Sequence, residues 1–380
     1  PGGKGKPTSR AVDWLQVRCW HAHYRSRVAL DLHAGAADLT AQLVDLPSVS
    51  FNEARIADEV QAALAGLAHL TVRRVRNCVV ASTSLGHGSR VVLAGHLDTV
   101  PAADNESARL DAQAGVLHGL GSCDMKGGVA VMLRVLATVR EPNRDVTAVF
   151  YDCEEVASEH NGLGLLAREH PAMLACDMAV LLEPSNAGIE AGCQGTLRAV
   201  VRTSGRRAHT ARAWRGENAI HAAAAILARL AEYEPRMPLV EGLQFHEGLQ
   251  AVGIAGGVAG NVVPDECAVT VNYRFAPDRD EQQAQEHVRE VFKGFDVEFT
   301  DCAAGAIPGL SHPALAELIA HVGATPQPKL GWTDVARFAA LGVPALNFGP
   351  GDPSLAHAPD EHVLIEQIER CERLLTQWLS

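Results

Sequence analysis

Three apolar runs of strand length each end in polar residues: RVVLAGHLDTV (90–100), DVTAVFYDCEE (145–155) and DMAVLLEP (177–184). Segments with helical spacing of apolar residues lie between and around them: ADLTAQLVDLPSVS, EARIADEVQAALAGL and the glycine-led GGVAVMLRVLATV. Strands alternating with helices predict an α/β domain built on a mixed, largely parallel sheet. Ligands of such sheets sit beyond the carboxyl ends of the strands. His96, Asp98, Glu154, Glu155 and Glu183 fall there.

After Glu183 the pattern changes. TLRAVVRTSG reads as a strand, GENAIHAAAAILARLAEY as a helix, GLQAVGIAGG and ECAVTVNYRF as strands, RDEQQAQEHVREVFKGF as a helix and DVEFTD as a strand. This β-α-β-β-α-β order is that of a ferredoxin-like α+β domain. It predicts an insertion over 194–306 in a larger domain made of 31–193 and 307–380. PALAELIAHVG, a short VPALNFG strand and a final helix from about Asp360 complete the larger domain.

Residues 1–30 differ in kind, with six Lys/Arg against one acid, and read as a disordered or non-native N-terminal extension. The chain of 380 residues is 47% hydrophobic and carries a net charge of −12, which disfavours sequence-independent nucleic-acid binding. It contains no apolar run long enough to span a membrane. Nine scattered cysteines, an odd number without a CxxC pair, suit a reducing cytoplasm rather than a disulfide framework.

Five donors recur beyond strands or at glycine-rich turns. Asp124 in GSCDMKGG follows His96 by 28 residues, Glu155 follows by 31, Glu183 by a further 28, and His357 lies in GPGDPSLAHAPDEH, with His362 as its nearest rival. Two imidazoles and three carboxylates suit divalent metals such as zinc. Five ligands exceed one catalytic zinc and suit two ions with a shared carboxylate. Asp98, two residues after His96, is placed to accept the other ring N–H. Neighbours on an extended chain point oppositely, so Glu155 reads as a ligand and Glu154 as a free general base.

These motifs, with the inserted domain and the late histidine, resemble the two-zinc aminoacylase/carboxypeptidase superfamily over roughly 32–380. The longer strings FYDCEEVASEHNGLG, EAGCQGTLRAVV, GVAGNVVPD, NYRFAPDR and GWTDVARFAALGVPALNFGPGDPSLAH resemble its actinobacterial succinyl-diaminopimelate desuccinylase branch. The resemblance implies a zinc-peptidase-like catalytic domain and cleavage of N-succinyl-L,L-2,6-diaminopimelate to succinate and L,L-diaminopimelate. It implies two Zn2+ ions, with Co2+ an alternative in one site. His96 and Glu183 would hold one ion, Glu155 and His357 the other, and Asp124 would bridge.

The resemblance further implies a homodimer whose inserted domain acts as lid and dimerisation surface. There His209, in GRRAHTARAW, would complete the site of the neighbouring subunit. Thr196, Asn261, Arg274, Thr333 and Arg337 match substrate-binding positions. Where some relatives carry a basic pair, this chain has Cys193 and Gln194, and Arg198 or Arg202 would have to compensate. Acetylornithine deacetylase or another N-acyl-amino-acid amidohydrolase is the alternative, and a non-catalytic metal-binding scaffold the remote one. A cysteine nucleophile at Cys123 or Cys153 is disfavoured, because neighbouring acids raise a thiol pKa.

Overall fold

A computed structural model describes residues 29–380. The expected extension lies outside the described residues except for Ala29 and Leu30, and Leu30 is buried in the main core. The main sheet has eight strands, in the order Thr71–Val75, Cys78–Ser82, Asp145–Tyr151, Arg90–His96, Met178–Leu181, Ala345–Asn347, Glu190–Ala191 and Gln327–Pro328. Arg90–His96 runs parallel to both of its neighbours, and Ala345–Asn347 runs parallel to Met178–Leu181. The first two strands form an antiparallel edge hairpin. Its turn carries no glycine; Arg76 takes the positive φ, 53°, so the segment lacks the usual hairpin signal.

The central strands are buried on both faces, which is why they read as unbroken apolar runs. Val91 and Leu93 pack with Val129, Met132 and Leu133 of the Gly127–Thr138 helix. Val92 and Ala94 face the opposite layer, against Leu163, Leu166 and Phe338. The chain's last helix spans Ile365–Leu379 rather than starting near Asp360, because His362–Leu364 pairs as a strand with Val116–His118.

The inserted segment forms a separate four-stranded antiparallel sheet, ordered Gly248–Gly256, Glu266–Phe275, Gly195–Ser204 and Asp296–Ala303. Burial alternates along Gly195–Ser204 and Glu266–Phe275, so one face is covered and the other open. Leu197, Val201, Val269 and Val271 meet Ile226, Ala284 and Val288 of the covering helices. The expected first helix is split in two, Ala219–Ala222 and Ala224–Ala231. Gly248–Gly256 is an edge strand that exposes Val252 and Ile254.

Candidate metal centre

The parallel strands deliver their polar ends to one place. His96 is the last residue of its strand, Glu183 lies two residues beyond Met178–Leu181, and Glu154 and Glu155 follow Asp145–Tyr151. Asp124 comes from the turn that leads into the Gly127–Thr138 helix. That helix start approaches the Glu183 strand so closely that a Cβ on Gly128 would lie 2.2 Å from the Leu182 carbonyl oxygen. Gly128, the second glycine of DMKGG, thus permits the close approach of the Asp124 turn to the Glu183 strand.

Three donor groups result among these residues; one joins His96, Glu154 and Glu155, and the other two share Asp124. His96, Asp124 and Glu183 each bring a ligand atom within 4.8 Å of the others, and so do Asp124, Glu155 and His357. His96 Nε2 is 3.1 Å from Asp124 Oδ1, while His357 Nε2 is 3.5 Å from Asp124 Oδ2 and 2.9 Å from Glu155 Oε1. One oxygen of Asp124 therefore faces each of the two groups that share it. His357 adopts a left-handed backbone, φ 64°, uncommon for a residue with a side chain. His362 instead stacks near His118 and turns its Nδ1 to the Asp360 carbonyl.

The electrostatics suit a pair of cations. Glu183 Oε1 is buried with no hydrogen-bond partner. Burial raises Glu183 to about 8, with Asp124 adding repulsion. Burial also pushes Glu154 well above the usual carboxylate range, and raises Glu155 less far because His357 bonds to it. Burial opposes charge on Asp124 too, but bonds from His357 and His96 prevail and hold it low. Bonds to Asp124 and Glu155 raise His357 to about 10. The nearest ion-pair partners of these acids are His96 and His357. Dry carboxylates at this density need counter-charge, and paired imidazoles with carboxylates are the donors that borderline divalent ions prefer.

Two expectations about orientation are modified. The nearest Asp98 atom to the His96 ring is the main-chain oxygen, 3.0 Å from Nδ1, with the carboxylate Oδ1 at an ion-pair distance of 3.6 Å. The carboxylate accepts the N–H groups of Glu154 and Glu155, at 3.0 and 3.1 Å, and the Ser50 hydroxyl at 2.8 Å. The two glutamates do not diverge along an extended strand. The strand ends at Tyr151 and Cys153 turns left-handed, φ 56°. Glu154 and Glu155 converge, each with a carboxylate oxygen within 4.8 Å of a His96 nitrogen.

The remaining named residues divide. Thr196, Trp332 and Arg337 line a small cavity with Glu154. Arg337 is paired with Asp334 and donates to Ser158 Oγ at 2.9 Å. Arg274 is partly buried, and its pKa is lowered by burial and by Arg198. Thr333 is buried and bonded to Asn347 Oδ1 at 3.2 Å. His209 and Asn261 are exposed neighbours on the inserted segment, in the strip where His209 bridges Val262. Neither belongs to the donor groups or lines that cavity. Burial pushes the Cys153 thiol up to about 12, against a nucleophilic role.

Sequence reasoning passed over Glu361. Its buried carboxylate accepts the N–H groups of Gly121, Cys123 and Asp124. No spacing or composition marks it, because its partners are main-chain groups more than 200 residues away in sequence.

A Mycobacterium tuberculosis protein, provisionally named a succinyl-diaminopimelate desuccinylase, is 54% identical over 354 residues, covering 92% of this chain and 99% of that one. The succinyl-diaminopimelate desuccinylase of Corynebacterium glutamicum is 47% identical, covering 92% and 98%. Among solved structures, an M20 family metallo-carboxypeptidase from Sulfolobus solfataricus shares the fold with a TM-score of 0.74 at 15% identity, covering 91% of this chain and 98% of that one. Residues 92–380 match Peptidase family M20/M25/M40. With that match, the identity to the two relatives and the shared fold, the chain belongs to the M20 family of metallohydrolases.

Proposed function

We propose that this chain cleaves N-succinyl-L,L-2,6-diaminopimelate to succinate and L,L-diaminopimelate, as a two-zinc amide hydrolase of the cytoplasm. The observation that carries the reading is the placement of Asp124 between two donor groups. The choice of substrate is supported by the 47% identity to the Corynebacterium glutamicum enzyme across nearly the full length of both chains.

His96, Asp124 and Glu183 would hold one zinc, and Asp124, Glu155 and His357 the other, with Co2+ an alternative in one site. When bound, such ions polarise the substrate carbonyl and make water acidic enough to attack at neutral pH. Glu154, outside both of those groups, takes the proton of the attacking water and returns it to the leaving nitrogen. The amide C–N bond breaks, the acyl carbon leaves as succinate, and the nitrogen leaves as the amine. Asp98 holds the Glu154–Glu155 turn by its two N–H groups.

Thr196 and Arg337 are offered as substrate contacts because they line the cavity beside Glu154. Arg274 is offered as a carboxylate contact, since a guanidinium fork matches a carboxylate. Thr333 and Asn261 complete the set, the first as a support bonded to Asn347. His209 would act across a homodimer, donating to the amide oxygen in a second copy's site. The exposed apolar edge at Val252 and Ile254 gives two-fold strand pairing a surface.

The test is hydrolysis of N-succinyl-L,L-diaminopimelate by the zinc-loaded protein, beside Glu154→Gln with its metal content checked. Turnover in the parent and a loss of about 10²–10⁴-fold in a variant that keeps two zinc ions is expected. Faster turnover of N-acetylornithine would move the substrate assignment to the deacetylases.

A further inference from the structure

Glu361 lies at the end of the loop that carries His357. Its side chain reaches back across the fold to the turn that carries Asp124. One oxygen accepts the N–H of Cys123 and of Asp124 itself, both at 3.0 Å, and the other accepts the N–H of Gly121 at 2.9 Å. Its main chain is tied to the same turn, where the Gly119 N–H donates to the Glu361 carbonyl at 3.1 Å. A second strap runs alongside: the Cys123 thiol donates to the Asp352 carbonyl at 3.1 Å.

The residue is 2% exposed. A buried carboxylate whose three hydrogen bonds all come from one turn's main chain is an expensive device if a helix start is all it secures. The turn needs it for a local reason. Asp124 and Met125 have non-helical backbone angles between Gly121, itself at φ 77°, and the Gly127–Thr138 helix. The N–H groups of Gly121, Cys123 and Asp124 in this irregular turn therefore need partners other than those a regular helix would supply. Glu361 is that partner, through directional, charge-assisted bonds.

We infer that Glu361 is a positioning residue for the metal centre, locking the Asp124 turn to the His357 loop so that the bridging carboxylate faces both donor groups. The inference rests on the two-ion reading above. Partners that orient ligands in this way typically change metal affinity by about 10–100-fold when removed. Glu361→Gln is the sharp probe, because it keeps the shape but turns an amide N–H group toward at least one main-chain N–H.

The experiment titrates the full chain and Glu361→Gln with Zn2+ under a competing chelator, and records the visible spectrum of the Co2+-loaded forms. The expected result is two tight equivalents in the parent. In the variant, at least one equivalent should weaken by about 10–100-fold, with an altered Co2+ spectrum. A purely structural role would lower the melting temperature of the metal-free protein and leave affinities and spectrum alone; that result overturns the inference. Glu361→Asp retains the charge on a shorter arm and serves if the glutamine variant does not fold. Its metal affinity should fall in the same direction, and parental affinity in a folded aspartate variant likewise overturns it. A parent that binds no divalent ion removes the two-ion reading and this inference together, whereas two-ion binding unaffected by the variants removes only the latter.

Discussion

Asp98→Asn separates two ways in which a buried aspartate can serve this site. The carboxylate accepts three bonds, from Ser50 Oγ and from the N–H groups of Glu154 and Glu155. Asparagine has one acceptor oxygen, so its amide nitrogen must face one of the two main-chain donors. Leaving that buried donor unpaired costs about 1–3 kcal/mol, and the surviving bond loses its charge assistance, about 1 kcal/mol more. The Glu154–Glu155 turn is thus loosened by about 2–4 kcal/mol. Expressed at the transition state, this lowers kcat by about 30- to 1,000-fold.

The assay is steady-state hydrolysis at saturating zinc, with metal content measured on the same samples. If Asp98 acts by holding the turn, kcat stays low in the fully metallated variant. If it acted chiefly through the His96 ring, the defect would be one of metal affinity, and excess zinc would restore kcat. Restoration to within about threefold of the parent, a gap of under 1 kcal/mol, would refute the reasoning from these hydrogen bonds.

Further outcomes follow from the same geometry. With Glu183 raised to about 8, His357 to about 10 and His96 held well above the ordinary imidazole value, all three carry a proton at pH 7 in the metal-free protein. Metal loading there should release at least about two protons, measured by calorimetry in buffers of different ionisation enthalpy; release of none would contradict the shifts. A carboxyl whose folded pKa exceeds its unfolded value of about 4.3 stabilises the fold at low pH and loses that contribution as pH rises through the folded value. The metal-free chain should therefore melt lower at pH 8 than at pH 6, and zinc should abolish this difference. Gly128→Ala forces a Cβ to 2.2 Å from the Leu182 oxygen. It should destabilise by about 1–3 kcal/mol and weaken zinc binding in one titration; parental stability would show that the backbone yields freely. Charged replacements at Val252 and Ile254 should give a monomer that keeps its metals but loses turnover, and full activity in a verified monomer would remove His209 from the mechanism.

Much of the fold is legible because burial leaves a local trace. Strands covered on both faces, such as Arg90–His96, must be apolar throughout. The half-covered strands of the inserted sheet alternate, as Gly195–Ser204 does. The Thr71–Ser82 hairpin leaves less trace, since its turn takes a positive φ at Arg76 without glycine. The start of the last helix is obscured because His362–Leu364 is held by a distant strand rather than by its own residues.

The candidate ligands are legible one by one, as polar residues where apolar strands stop. Their mutual arrangement is not. Which carboxylate lies between the two histidines is set by how the Gly127–Thr138 helix seats against the Leu182 carbonyl, a contact between segments over 50 residues apart in sequence. The sequence by itself determined the donor types, the strand ends that carry them and the order of the inserted domain. Tertiary structure alone decided that the Asp98 carboxylate holds the Glu154–Glu155 main chain, and that Glu361 holds the Asp124 turn. The physical reason is common to both: the partners are backbone N–H groups, which every residue but proline possesses, so side-chain identity carries no record of the bond.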